Sequence, residues 1–105
     1  MSELNKTYNA GSSPCTLAGF KNRAFSKTAE SGEYEPPTPQ DIKALRQLMG
    51  WSQTDVARIV GVSWNHKGST AVRKWETAID KKEHNKISYS VWRGLLCRAG
   101  IVERF

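Results

Sequence analysis

The sequence of 105 residues predicts a small all-α protein. Three of its expected helices follow a residue suited to capping a helix: Thr38, Ser52 and Ser69. No stretch alternates apolar and polar residues over the length of a strand. Apolar residues instead recur at helical spacing in four segments, at about 39–49, 53–60, 69–77 and 88–99. We therefore expect one compact domain of four to five helices, preceded by an N-terminal extension.

Residues 1–37 are expected to form an N-terminal arm, because they are rich in Ser, Thr, Asn and Gly and offer few apolar side chains. Three interpretations stay open. The arm is an inert, flexible leader, or it packs Leu17, Phe20 and Phe25 onto the domain, or it is a basic arm that follows the DNA backbone or enters the minor groove. A chain that lacks residues 1–35 is expected to fold. Pro36 and Pro37 favour extended backbone and end the arm, so the domain is expected over residues 38–105.

The net charge of +6 lies entirely in this expected domain. Residues 1–37 hold four basic and four acidic side chains, whereas residues 38–105 hold twelve basic and six acidic ones. A compact basic domain favours nucleic acid as a partner over acidic protein or membrane. An ordinary solvated surface is the alternative explanation of the charge.

The first domain helix, at about 39–49, has strong start and stop signals. Thr38 can cap it, Pro39 suits its first position, and Asp41 lies where a capping box needs an acceptor. Gly50 can end it. The expected buried stripe consists of Ile42, Leu45, Leu48 and Met49.

The next helix, at about 53–60, begins with Ser52 and Asp55 at capping-box spacing. Val56 and Val60 fall on one face, and Gly61 ends the helix because glycine readily adopts positive φ. The helix at 69–77 then turns Val72 and Trp75 inward. It leaves Thr70, Arg73 and Lys74 facing out. Two short helices joined by a turn, the second with a basic outer face, indicate a DNA-binding unit.

The stretch from Trp51 to Ser63 resembles the Xre family, the Cro and phage-repressor type of helix-turn-helix protein. That family has a hydrophobic residue, Ser-Gln, two polar residues, an aliphatic, Ala, two more residues, an aliphatic and Gly-Val-Ser, and WSQTDVARIVGVS matches position by position. VRKWE, at 72–76, is similar to the end of the family's recognition helix. A weaker likeness is to small autorepressors of phages and plasmids, such as regulators of anti-CRISPR operons. The resemblance covers about Thr38 to Ile101.

The chain departs from the family pattern in the turn. Fourteen steps separate Gly61 from Trp75, where the family usually has nine. About five residues, near Trp64–Gly68, are therefore an insertion. This segment either extends the contact with DNA or is only a longer turn with Trp64 packed down.

The resemblance implies an ion pair between Arg46 and Glu76, with a structural role. It also places a set of side chains at DNA. Arg73 is the best candidate for base contact, because a guanidinium can bind guanine bidentately. The full set of expected DNA contacts is Gln53, Asn65, His66, Lys67, Ser69, Thr70, Arg73 and Lys74.

A homodimer is expected, because one small unit contacts few base pairs and two copies match a palindromic operator. Not all apolar residues of the C-terminal helix and tail can face one small core. The expected dimer surface is Trp92, Leu96, Ile101, Val102 and Phe105. The alternative is that Trp92 and Leu96 merely cap the core.

The sequence thus predicts a sequence-specific regulator of transcription that binds double-stranded DNA with residues 69–77 in the major groove. A repressor is the simplest form of such a regulator, and its own operon is one candidate target. The alternatives are a DNA-binding antitoxin with a toxin partner and a helix-turn-helix fold used for protein–protein inhibition. No catalytic set stands out, so no enzyme activity, metal or cofactor is expected. Cys15 and Cys97 lack metal-ligand spacing and favour a reduced, cytoplasmic protein, in the bacterial cytosol or nucleoid. No membrane partner is expected.

Overall fold

The computed structural model describes residues 13–103, and every regular element among them is helical. This confirms the all-α prediction for the described part of the chain. Two short 3-10 turns, Ala24–Ser26 and Ala29–Ser31, lie between the first two helices. No described helix has the length and apolar character needed to cross a membrane. The helices are α1 (Leu17–Phe20), α2 (Pro39–Leu48), α3 (Gln53–Val60), α4 (Thr70–Trp75) and α5 (Tyr89–Arg98).

The capping signals in the sequence form as expected. In α2, Thr38 Oγ1 accepts from the Asp41 amide at 3.1 Å and Asp41 Oδ2 accepts from the Thr38 amide at 2.9 Å. Ser52 and Asp55 form the same reciprocal pair at the start of α3. Gly61 ends α3 with φ of +80°. The bounds of α3 match the prediction, whereas α4 is shorter than the predicted 69–77.

The core lies where α3 packs against α4 and α5. Ala57, on α3, is fully buried, so its small side chain lets another element approach α3 closely. Val56 and Val72 fill the space beside it with almost no exposure. Leu48 corrects the predicted stripe of α2, because it is 38% exposed while Leu45 is buried.

The N-terminal segment packs into this core. Phe20 and Phe25 are buried, and the Phe25 ring meets the Trp92 ring edge to face with centroids 5.5 Å apart. Trp92 Nε1 donates to the Phe25 carbonyl at 3.0 Å. Buried Arg93 donates to the Ser26 carbonyl at 2.7 Å. Of the three interpretations of the arm, packing onto the domain is the one that residues 13–37 show, whereas residues 1–12 lie outside the described residues.

The same packing corrects three members of the predicted dimer surface. Trp92 and Leu96 are fully buried and Ile101 is 7% exposed, so all three belong to the core of a single chain. Val102 is partly buried against that core, and Phe105 lies outside the described residues. The physical reason is that α5 has apolar residues on two sides, and the N-terminal segment covers the second one.

Candidate nucleic-acid interface

A buried ion pair fixes the position of α4. Arg46 Nε lies 2.7 Å from Glu76 Oε2 and Arg46 Nη2 lies 3.0 Å from Glu76 Oε1. Arg46 Nη1 also donates to the Trp51 carbonyl at 3.3 Å. The expected pair is therefore present, and it joins the end of α2, the link to α3 and the end of α4. Its bidentate geometry leaves little freedom for the helix to rotate.

Gln53 extends this network. Its Nε2 donates to Glu76 Oε1 at 3.2 Å, so the side chain connects the first residue of α3 to the residue that ends α4. Gln53 was expected to contact DNA, and within the protein it joins the start of α3 to the end of α4.

The inserted turn is an ordered hairpin. The amide of Asn65 donates to the Gly68 carbonyl at 2.8 Å, and the amide of Gly68 donates back to the Asn65 carbonyl at 3.0 Å. Asn65 Oδ1 accepts from the Lys67 amide at 2.8 Å. Gly68 has φ of +132°, which side chains disfavour. His66 and Lys67 thus stand at the exposed tip of a two-residue hairpin.

Ser69 corrects one expected DNA contact. Its side chain is 4% exposed; the hydroxyl donates to the Ser63 carbonyl at 2.8 Å and accepts from the Val72 amide at 3.4 Å. A residue that caps a helix must turn its side chain back toward the first amides. Ser69 therefore closes the base of the hairpin and starts α4, and it offers nothing to a base edge.

An open depression of about 410 Å³ lies between the hairpin and the start of α4. It brings together six of the eight expected contacts: Gln53, Asn65, Lys67, Ser69, Thr70 and Arg73. His66 and Lys74 do not line it. Thr70 and Arg73 are exposed along its α4 side, and Lys67 is exposed on its hairpin side. The lining of the depression therefore includes two side chains with positively charged donors, Lys67 and Arg73.

Two features of this surface were not predicted from the sequence: the Glu83 partner of Arg73 and the exposure of Trp64. Arg73 Nη1 lies 3.2 Å from Glu83 Oε1, and the side chains are 50% and 67% exposed. Trp64 is not packed down but 51% exposed, with Arg58 Cζ 5.7 Å from its ring centroid. Both Glu83 and Trp64 lie outside the helices, where no periodic pattern indicates a partner.

Asp55, in the first turn of α3, has a shifted pKa. Its carboxylate accepts from the Ser52 amide at 2.9 Å, which, with help from the Ser52 hydroxyl, lowers the pKa of Asp55 below its ordinary value. Among residues 13–103, no three His, Cys, Asp or Glu side chains gather in a group that could hold a metal ion. Cys15 and Cys97 are both free thiols.

Comparison with known proteins adds no relative to this picture. No protein-family model matches the chain, and no curated protein matches it significantly. The chemistry of the depression is therefore the basis for a functional proposal: exposed Arg73, Thr70 and Lys67 beside the start of α4.

Proposed function

We propose that the protein is a sequence-specific regulator of transcription, a Cro-like helix-turn-helix domain that binds double-stranded DNA and represses. The single observation that supports this most is the depression beside α4, in which Arg73, Thr70 and Lys67 converge. In this proposal α3 is the first helix of the motif and α4 is the recognition helix, which begins at Thr70 rather than at Ser69.

The depression suits the edge of a DNA duplex chemically. Arg73 can donate bidentately to O6 and N7 of guanine, and the exposed Thr70 can meet a base edge or a thymine methyl group. Lys67, at the tip of the hairpin, suits a phosphate. The ion pair between Arg46 and Glu76 anchors the end of α4, the helix that carries Thr70 and Arg73.

Repression needs only occupancy of the operator. A bound domain of this size covers DNA that a polymerase would use, and the resemblance to small autorepressors favours an operator in the protein's own operon. Two copies on a palindromic operator supply the contacts that one small unit lacks. They join through a surface other than Trp92, Leu96 and Ile101, since those side chains are buried within one chain.

The test is selection of bound sequences from random duplex DNA at a stated salt concentration. We expect a palindromic sequence to be enriched, with half-sites spaced by about one helical turn. Arg73→Ala should weaken binding to that sequence by roughly 1–3 kcal/mol. Lys43→Ala is the control, because Lys43 is an exposed cation on α2 that does not line the depression.

If the folded protein enriches no sequence, the result contradicts the proposal. It would then favour the alternative that the fold serves protein–protein contact. Equal effects of Arg73→Ala and Lys43→Ala on the enriched sequence would remove Arg73 from base contact.

A further inference from the structure

Trp64 is the exposed aromatic side chain beside the depression. It lines the depression together with Thr70 and Arg73, and 51% of it is open to solvent. A tryptophan brings a large apolar surface, which proteins usually bury in a core or against a partner. Its exposure at this place needs an explanation that the proposed function does not give.

Hydrogen bonds hold the backbone on both sides of Trp64. The Ser63 carbonyl before it accepts from Ser69 Oγ at 2.8 Å, and Asn65 after it is fixed by the two hydrogen bonds of the hairpin. Arg58, on α3, places its guanidinium 5.7 Å from the ring centroid, within the range of a cation–π contact. The backbone on both sides of Trp64 is therefore fixed before any partner binds, and a cation stands over its ring.

The surroundings of Trp64 indicate the chemistry of its partner. Arg58, Lys67 and Arg73 are exposed cations near the ring or in the depression that it lines, so the partner carries negative charge. The Trp64 ring is apolar and lies beside side chains that we propose for base contact. Its favourable contact on a base edge is therefore with an apolar group. In the major groove that group is the C5 methyl of thymine.

We propose that Trp64 contacts the C5 methyl group of a thymine in the operator, next to the base pair that Arg73 contacts. The inference rests on the proposed function, because it takes double-stranded DNA as the partner. It gives the inserted hairpin a role in sequence discrimination in addition to phosphate contact through its tip. Arg58 is then a positioning residue that holds the ring.

The experiment removes only the methyl group. In the enriched operator, each thymine is replaced in turn by deoxyuridine, and the dissociation constant is measured for the wild type and for Trp64→Ala. For one thymine per half-site we expect the wild type to lose affinity about fourfold, the worth of one buried carbon group. Trp64→Ala should be insensitive to that same replacement. Trp64→Leu, which keeps an apolar side chain, should stay sensitive. Trp64→Gln, which puts a polar group there, should be insensitive and serves if Trp64→Ala does not fold.

The outcomes separate the two proposals. If Arg73→Ala weakens operator binding but wild type and Trp64→Ala respond alike to every deoxyuridine, the thymine contact is wrong and the DNA-binding function stands. If Trp64→Ala weakens binding equally on operator and unrelated duplexes, Trp64 meets the backbone and the inference also falls. If no operator is enriched, the proposed function fails first.

Discussion

Arg73 Nη1 lies 3.2 Å from Glu83 Oε1, so the cation that we propose for base contact has a carboxylate partner in the protein without DNA. The contact is single, and it leaves the other donors of the guanidinium available. Both side chains are at least half exposed, which makes such a pair easy to open. Glu83 thus competes with any anion that approaches Arg73.

Glu83→Gln should raise the affinity of the protein for both operator and unrelated duplex DNA. The reason is that a phosphate no longer displaces a carboxylate, a gain of about 0.2–1 kcal/mol for an exposed pair. The dissociation constants for operator and unrelated DNA, measured over a range of salt, check this. Glu103→Gln is the matched control, since it removes the same charge at an exposed site. Identical behaviour of the two variants would show that only net charge matters.

Glu76→Ala should destabilise the domain by about 3–5 kcal/mol, the usual cost of leaving one member of a buried pair alone. The loss also frees Arg46 and Gln53, which both donate to Glu76. The double replacement Arg46→Met with Glu76→Leu should cost less than Glu76→Ala alone, because no buried charge remains. Urea unfolding of the wild type, Glu76→Ala and the double variant measures these differences in stability. A double variant as unstable as Glu76→Ala would contradict the prediction.

Phe25→Ala should destabilise the protein by about 3–5 kcal/mol, although Phe25 lies in the segment that the sequence marks as an arm. The side chain is 4% exposed and packs against Trp92. Lys21→Ala, exposed in the same segment, is the control and should change little. Thermal unfolding followed by circular dichroism distinguishes them. A stable chain without residues 1–35 would refute the placement of this segment in the core.

Asp55 should make stability depend on pH in the acid range. Its pKa is lowered in the folded state by the Ser52 amide and hydroxyl, so its ionised form stabilises the fold above the unfolded pKa. That contribution is lost as pH falls through the folded pKa. The difference in melting temperature between wild type and Asp55→Asn should therefore shrink from about pH 6 to about pH 3, the range in which carboxyl groups titrate. A difference that stays constant would contradict this.

The sequence predicted features that depend on neighbours within about four residues. The Thr38–Asp41 and Ser52–Asp55 capping boxes and the Gly61 stop are of this kind. The Arg46–Glu76 pair followed from the family resemblance. The prediction that Trp92 and Leu96 lie in a dimer surface was wrong. Helix α5 has apolar residues on two sides, and the sequence does not indicate which segment covers the second side.

The candidate site was predicted in part for the same reason. Thr70 and Arg73 are exposed, as helical periodicity predicts, and both line the depression. The Glu83 partner and the exposed Trp64 belong to connecting segments, where spacing carries no information on contacts. Ser69 was assigned outward by its position on the helix, whereas capping geometry turns it inward.

The bond from Trp92 Nε1 to the Phe25 carbonyl spans 67 positions in the chain. During synthesis, Phe20 and Phe25 are made early but have no complete site to pack into until α5 has left the ribosome. A chain that stops before Tyr89 exposes both rings to solvent and to quality control. The core that holds the N-terminal segment is therefore complete only when the residues of α5 are present.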